Sequence, residues 1–173
     1  MERVEKSMLS EVEKYRMRLD EAKGFGKVYE IVKETVKRSM GKYRVGMMLF
    51  LEDLPLQVGA YHPVGTNNII MNRSLTQIIE AATKSRRVIN SFIYSILLHE
   101  YLHALGYIKE PAVRQLVYKI SRESFGEDHI ATHMARRGPW TILRGLPIDK
   151  VEAPKRLIEV VKDFERTNQR YIV

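Results

Sequence analysis

The chain has 173 residues, of which 45% are hydrophobic and 29% charged, and its formal net charge at pH 7 is +8. This length suits one domain with a substantial core, and the composition is that of a globular protein rather than a disordered one. The absence of cysteine excludes disulfides, thiolate metal ligands and a cysteine nucleophile. A metal site in this chain must therefore use histidine, aspartate or glutamate.

The charge and hydropathy patterns also bear on location and partners. No apolar run reaches the roughly 20 residues that cross a membrane, and the N-terminal segment lacks the apolar stretch of a signal peptide. We therefore expect a cytoplasmic protein without a membrane partner. The excess of positive charge can attract nucleic acid or a protein bound to it. The lack of cysteine and the many charged residues are typical of a thermophilic source.

In chain order, helical periodicity first predicts two charged helices, over residues 2–23 and 27–40. Three segments rich in β-branched and aromatic residues then predict strands, over residues 43–51, 57–62 and 68–71. Because short turns connect them, we expect their pairing to be antiparallel.

The rest of the chain is mainly helical in pattern. Ser74 and Gln77 have the spacing of a capping box, which predicts that a helix begins there. Glycine and proline positions bound the helices that follow. The predicted helices cover residues 74–83, 88–105, 111–124, 128–136 and 153–165.

These elements predict an α+β fold. A small antiparallel or mixed sheet of about three strands packs on one long helix, with additional helices at both ends of the chain. No linker or repeat divides the sequence, so we expect a single domain over residues 1–173. Within it, residues 1–41 form an N-terminal helical pair, residues 42–137 the core with the chemistry, and residues 138–173 a C-terminal extension.

The chemistry of the chain is concentrated in residues 98–107, which read LHEYLHALGY. His99 and His103 are four residues apart, so both imidazoles lie on one face of a helix, where they can bind one tetrahedral zinc ion. Glu100 is placed to take a proton from an attacking water. Two buried histidines and a buried glutamate without a metal would be unfavourable. The ligand types favour zinc, although nickel or cobalt would suit the same imidazoles.

This segment resembles the active-site helix of the zincin superfamily of zinc metallopeptidases. The resemblance covers roughly residues 43–107, and only the motif His-Glu-x-x-His within it is specific. It implies a zincin-like fold in which an antiparallel edge strand precedes the active helix and binds the substrate peptide by strand addition. Residues 57–71 correspond to that region.

A catalytic zinc needs a third protein ligand. The metzincin branch has a histidine where this chain has Lys109, so that branch is not favoured. His129 begins a short predicted helix and resembles the third histidine of the SprT-like branch, and it is our preferred ligand. A minimal gluzincin-like branch, in which a later helix supplies a carboxylate, stays open. The alternatives to His129 are Glu110, Glu123 and His133.

The sequence thus predicts a zinc-dependent hydrolase, a metalloprotease that cleaves peptide bonds with Glu100 as general base and with His99, His103 and His129 as zinc ligands. One alternative is a catalytically silent or latent protein of the same fold that binds nucleic acid or a ribonucleoprotein. In the latent form, the N-terminal helices would cover the cleft. Another alternative is a hydrolase of small molecules, which would have a closed pocket.

Overall fold

The computed structural model describes residues 2–144 and 156–165, with side chains from residue 11 onward. The helices in these ranges are α1 (Glu2–Glu21), α2 (Phe25–Met40), α3 (Arg73–Thr83), α4 (Arg86–Ala104), α5 (Glu110–Phe125), α6 (Ile130–Arg137) and the 3-10 helix η1 (Pro139–Leu143). The strands are β1 (Met48–Glu52), β2 (Ala60–Tyr61), β3 (Asn68–Asn72) and β4 (Glu159–Val160). The α+β class is confirmed. No helix in these ranges is long and apolar enough to cross a bilayer.

The sheet is mixed, with the order β2-β3-β1-β4. β2 pairs antiparallel with β3, as expected from the short turn between them. β1 and β3 pair in parallel, so the antiparallel expectation was wrong for this pair. The reason is that β2 does not pair with β1. The chain after β1 passes to the far edge, forms β2, and returns through a tight turn to place β3 between the two.

The C-terminal extension also differs from its prediction. The helix expected over residues 153–165 is absent from residues 156–165, which form β4 and a turn, whereas residues 153–155 lie outside the described residues. β4 pairs antiparallel with β1. The Val161 N–H donates to the Leu49 carbonyl at 2.8 Å, and the Phe164 ring stacks on Tyr29 at 4.2 Å. These contacts hold the segment extended, against its local helical preference.

A buried ion pair fixes the start of this C-terminal segment. Asp53 and Arg73 are almost fully buried, with Arg73 Nη2 at 2.8 Å from Asp53 Oδ2. The Arg73 guanidinium holds the pKa of Asp53 well below its usual range. Asp53 also accepts a hydrogen bond from the Arg156 main-chain N–H, and Arg73 donates to the Leu157 carbonyl. The pair therefore satisfies main-chain groups of the C-terminal segment, as a buried charge pair requires.

Helix α4 lies at the centre of the fold. It contacts the other five α-helices as well as β2 and β3. Apolar residues occur around its whole circumference, which is the pattern of a fully buried helix. α1 and α2 contribute fully buried side chains to the same core, including Leu19, Tyr29 and Val32. The two N-terminal helices are thus part of the core that positions α4, rather than a cover laid over it.

Candidate metal centre

The two motif histidines lie on the last two turns of α4. The helix begins at the N-cap Ser85, whose hydroxyl accepts from the Val88 N–H, and continues without a break to Ala104. Leu98 and Leu102 are fully buried beside the motif, so the helix cannot rotate without exposing them. The spacing of four residues brings His99 Nε2 to within 3.2 Å of His103 Nε2.

A carboxylate from the next helix completes the group. α4 ends at Ala104, and just beyond it Gly106, whose φ of +98° lies in the left-handed region, turns the chain back on itself. α5 then begins at Glu110, and its carboxylate reaches both imidazoles. Glu110 Oε1 lies 3.0 Å from His103 Nε2, and Oε2 lies 3.4 Å from His99 Nε2. His99, His103 and Glu110 thus form a group of potential metal ligands within the described part of the chain. One ligand atom from each residue lies within 4.8 Å of the other two.

The donor atoms of these three side chains are spaced much as ligands are around a tetrahedral ion of zinc's size. With metal–ligand bonds of about 2.0–2.1 Å, neighbouring ligands of a tetrahedral zinc lie about 3.3 Å apart. The two Nε2 atoms are 3.2 Å apart, and the two contacts of Glu110, at 3.0 and 3.4 Å, are made by its two different oxygens. With one ligand atom from each residue, all three atoms lie within 4.8 Å of one another, so the donor set suits a metal ion such as zinc.

The hydrogen bonds of His103 support the same conclusion. Its Nδ1 lies 2.7 Å from the Tyr107 carbonyl, which can only accept, so Nδ1 carries a proton. In the neutral ring, Nε2 then presents a lone pair to the Glu110 carboxylate, and two acceptors face each other at 3.0 Å. Such an arrangement needs a shared cation, either a proton or a metal ion. Burial lowers the pKa of His99, and the nearby Glu110 carboxylate opposes that change.

Glu100 lies on the inner side of the pair. Its side chain is nearly buried, and burial raises the pKa of its carboxyl to about 7. A hydrogen bond from the His62 main-chain N–H opposes that rise. A carboxyl group with a pKa near neutrality can both take and return a proton at physiological pH, which is the requirement for general acid–base catalysis.

Strand β2 brings an open sheet edge to this carboxylate. In its register with β3, Ala60 lies opposite Met71, and the Asn72 N–H donates to the Gly59 carbonyl at 2.8 Å. Hydrogen-bonding directions alternate along an antiparallel strand, so the N–H and C=O of Ala60 point away from β3. The same alternation points the His62 N–H outward, toward Glu100. Among the described residues no strand pairs with this outer edge of β2, and this free edge runs beside the candidate centre.

The structure does not bring His129, the preferred third ligand, to the histidine pair. His129 is fully buried as the N-cap of α6, where its Nδ1 accepts from the Ala131 N–H at 3.1 Å. Its Nε2 therefore carries the proton and donates to Asp20 Oδ1 at 3.0 Å. One ring nitrogen thus caps α6 and the other binds Asp20 of α1, so neither is free for a metal.

Of the three alternatives, Glu110 is the one that the structure brings to the pair. Glu123 lies on a different face of α5, where it accepts a hydrogen bond from Ser39. His133 is exposed on α6. The sequence did contain a signal for Glu110. The turn between α4 and α5 has only a few residues, so the first turn of α5 has to lie close to the end of α4.

The buried state of His129 predicts a pH dependence of stability. Burial lowers its pKa in the folded protein, against the opposing effect of Asp20, while Arg87 and Arg16 nearby disfavour further positive charge. The unfolded chain binds this proton near the ordinary value of about 6.5, so it takes up more protons as the pH falls below that value. We expect the free energy of unfolding to fall between pH 7.5 and pH 5.5, as measured by urea unfolding with chelator present.

His129→Asn is the matched control for this effect, because asparagine keeps an N-cap acceptor but does not titrate. At pH 7.5 the variant should be less stable by about 1–3 kcal/mol, since it loses the buried hydrogen bond to Asp20. The difference from the parent should shrink at pH 5.5. Equal pH dependence in the two proteins would contradict the assignment of a neutral, buried His129.

The candidate centre is open to solvent. The exposed fractions of the His99, His103 and Glu110 side chains are 25%, 19% and 54%. A separate cleft of about 620 Å³ lies between the α1–α2 turn and the start of α4, and none of the motif residues lines it. The candidate centre thus differs from a site inside a closed pocket.

Comparison with known proteins gives no relative for this chain. No protein family, curated protein or solved structure matches it significantly.

Proposed function

We propose that this chain is a zinc-dependent peptidase whose metal ion is held by His99, His103 and Glu110. The observation that carries the proposal is the convergence of two imidazoles and a carboxylate, one ligand atom from each lying within 4.8 Å of the others. The two Nε2 atoms are 3.2 Å apart, close to the spacing of neighbouring ligands around a tetrahedral zinc. The Tyr107 carbonyl orients His103, as an outer partner of a metal-binding imidazole does. Three protein ligands leave a fourth position open, which distinguishes a catalytic site from a structural one.

The bound zinc would supply Lewis-acid chemistry, lowering the pKa of a water molecule and polarising a carbonyl. Glu100 takes the proton from the attacking water on its carboxylate and later returns it to the leaving amine. Glu100 ends the reaction in the protonation state in which it began, because the proton that it accepts from water is the one that it donates to the leaving nitrogen.

The free edge of β2 supports a peptide as the substrate. The outward N–H and C=O groups of Ala60 can pair with an extended peptide, as in other cases of strand addition. Because the next outward group, the His62 N–H, donates to Glu100, a peptide paired with Ala60 would lie beside the candidate centre.

The proposal is tested by the zinc content of the protein, purified without added metal and then titrated with zinc. We expect one equivalent of zinc in the parent and its loss in His99→Ala, measured by mass spectrometry of the metal. Parent protein that binds no zinc, even when zinc is supplied, would overturn the proposal. Zinc binding should be accompanied by chelator-sensitive cleavage of an unfolded protein such as casein.

A further inference from the structure

We propose that Trp140 selects the substrate by packing an apolar side chain of the bound peptide two or three residues from the scissile bond. This inference rests on the proposed function, because it requires a peptide to pair with the free edge of β2. It adds a determinant of specificity that lies outside the metal centre and outside the motif.

The position of Trp140 at the strand edge carries the argument. η1 follows α6 and places the Trp140 ring against Gly59, the residue before β2. A Cβ built on Gly59 would lie 3.4 Å from the ring and 2.9 Å from Ile96 Cδ1. The lack of a side chain at Gly59 therefore lets the tryptophan and α4 approach the strand. Ile96 precedes His99 by one turn of α4, so Trp140 lies on the same side of the fold as the metal centre.

The distance along the strand determines which substrate residue meets the ring. Gly59 and His62 are three residues apart, and a strand rises about 3.3 Å per residue, so they are separated by about 10 Å. His62 lies at Glu100, where the scissile bond has to be. A substrate residue opposite Gly59 is therefore two or three residues away from that bond.

The surface at this point is apolar. Trp140 packs edge-on against the buried Phe92, with ring centroids 6.5 Å apart, and the Thr141 hydroxyl donates to the Gly138 carbonyl beside it. The ring is still 37% exposed. An exposed aromatic face stabilises leucine, methionine or phenylalanine and gives no partner to a carboxylate.

Cleavage mapping tests the inference. The zinc-loaded parent is incubated with a library of peptides from a digested proteome, and the cleavage sites are read by mass spectrometry. We expect leucine, methionine and phenylalanine to be enriched at the second or third residue from the scissile bond, on one side of it. Trp140→Ala should flatten this enrichment, with a loss of roughly tenfold or more in kcat/KM for the preferred peptides. Trp140→Phe should restore part of the preference.

The only tryptophan in the chain gives a second readout that does not need turnover. In zinc-loaded Glu100→Gln, a peptide with leucine at the preferred position should shift the emission of Trp140, and the same peptide with aspartate there should not. Cleavage without apolar enrichment at these positions, or a preference unchanged in Trp140→Ala, would overturn the role of Trp140 alone. A zinc-loaded parent that cleaves no peptide would overturn the proposed function, and this inference with it.

Discussion

Replacing Glu100 by glutamine is expected to lower kcat by about 10²–10⁴-fold while the protein still binds one equivalent of zinc. This range is the usual contribution of a positioned general base. Glutamine has nearly the same shape and can accept the hydrogen bond from the His62 N–H, so α4 and β2 should stay in place. It cannot take a proton from water. Kinetics with a peptide substrate and zinc analysis of the same preparation measure the two quantities together.

Glu123→Gln is the matched control for this experiment. It makes the same chemical change on an exposed part of α5, away from the metal ligands. We expect this variant to keep the kcat and the zinc content of the parent. If Glu100→Gln hydrolysed peptides as fast as the control, Glu100 would not be the base, and the mechanism proposed here would be wrong.

The position of the two motif histidines could be predicted because the required information is local. A spacing of four residues on a helix brings two side chains together whatever the rest of the chain does. The apolar residues before His99 also predicted that this helix would be buried. The structure agrees on both points, with α4 at the centre of the fold and the two imidazoles side by side.

The third member of the group depended on how α5 follows α4, and the structure does not bring the preferred residue, His129, to the histidine pair. That choice rested on resemblance to a branch in which a histidine opens a later helix. In the structure, Asp20 of α1 accepts the proton of His129 Nε2, a contact between residues 109 positions apart. No local pattern contains such a contact. Glu110 was one of the alternatives, and the short turn at Gly106 already limited where it could lie.

In the sheet too, a pairing set by a short turn could be predicted, whereas a pairing set by distant residues could not. The turn between β2 and β3 is short, and their antiparallel pairing was predicted correctly. The pairing of β1 depended on which strand came to lie beside it, and hydrophobic pattern does not encode that choice. β4 exists because Asp53 and Arg73 bind the main chain near Arg156, which overrides the helical pattern of the last predicted helix.

Replacing Glu110 by alanine is expected to weaken zinc binding by more than the roughly 10–100-fold that follows the loss of an outer-shell partner. The reason is that Glu110 is the only carboxylate among the described residues that reaches both imidazoles. Competition with a chelator of known affinity measures the change.

His129→Asn is the sharper comparison, because it removes the other candidate ligand while keeping the cap of α6. We expect His129→Asn to be less stable and to bind zinc as tightly as the parent. Loss of zinc in His129→Asn but not in Glu110→Ala would return the third position to His129, and would mean that α6 moves toward α4 when the metal binds.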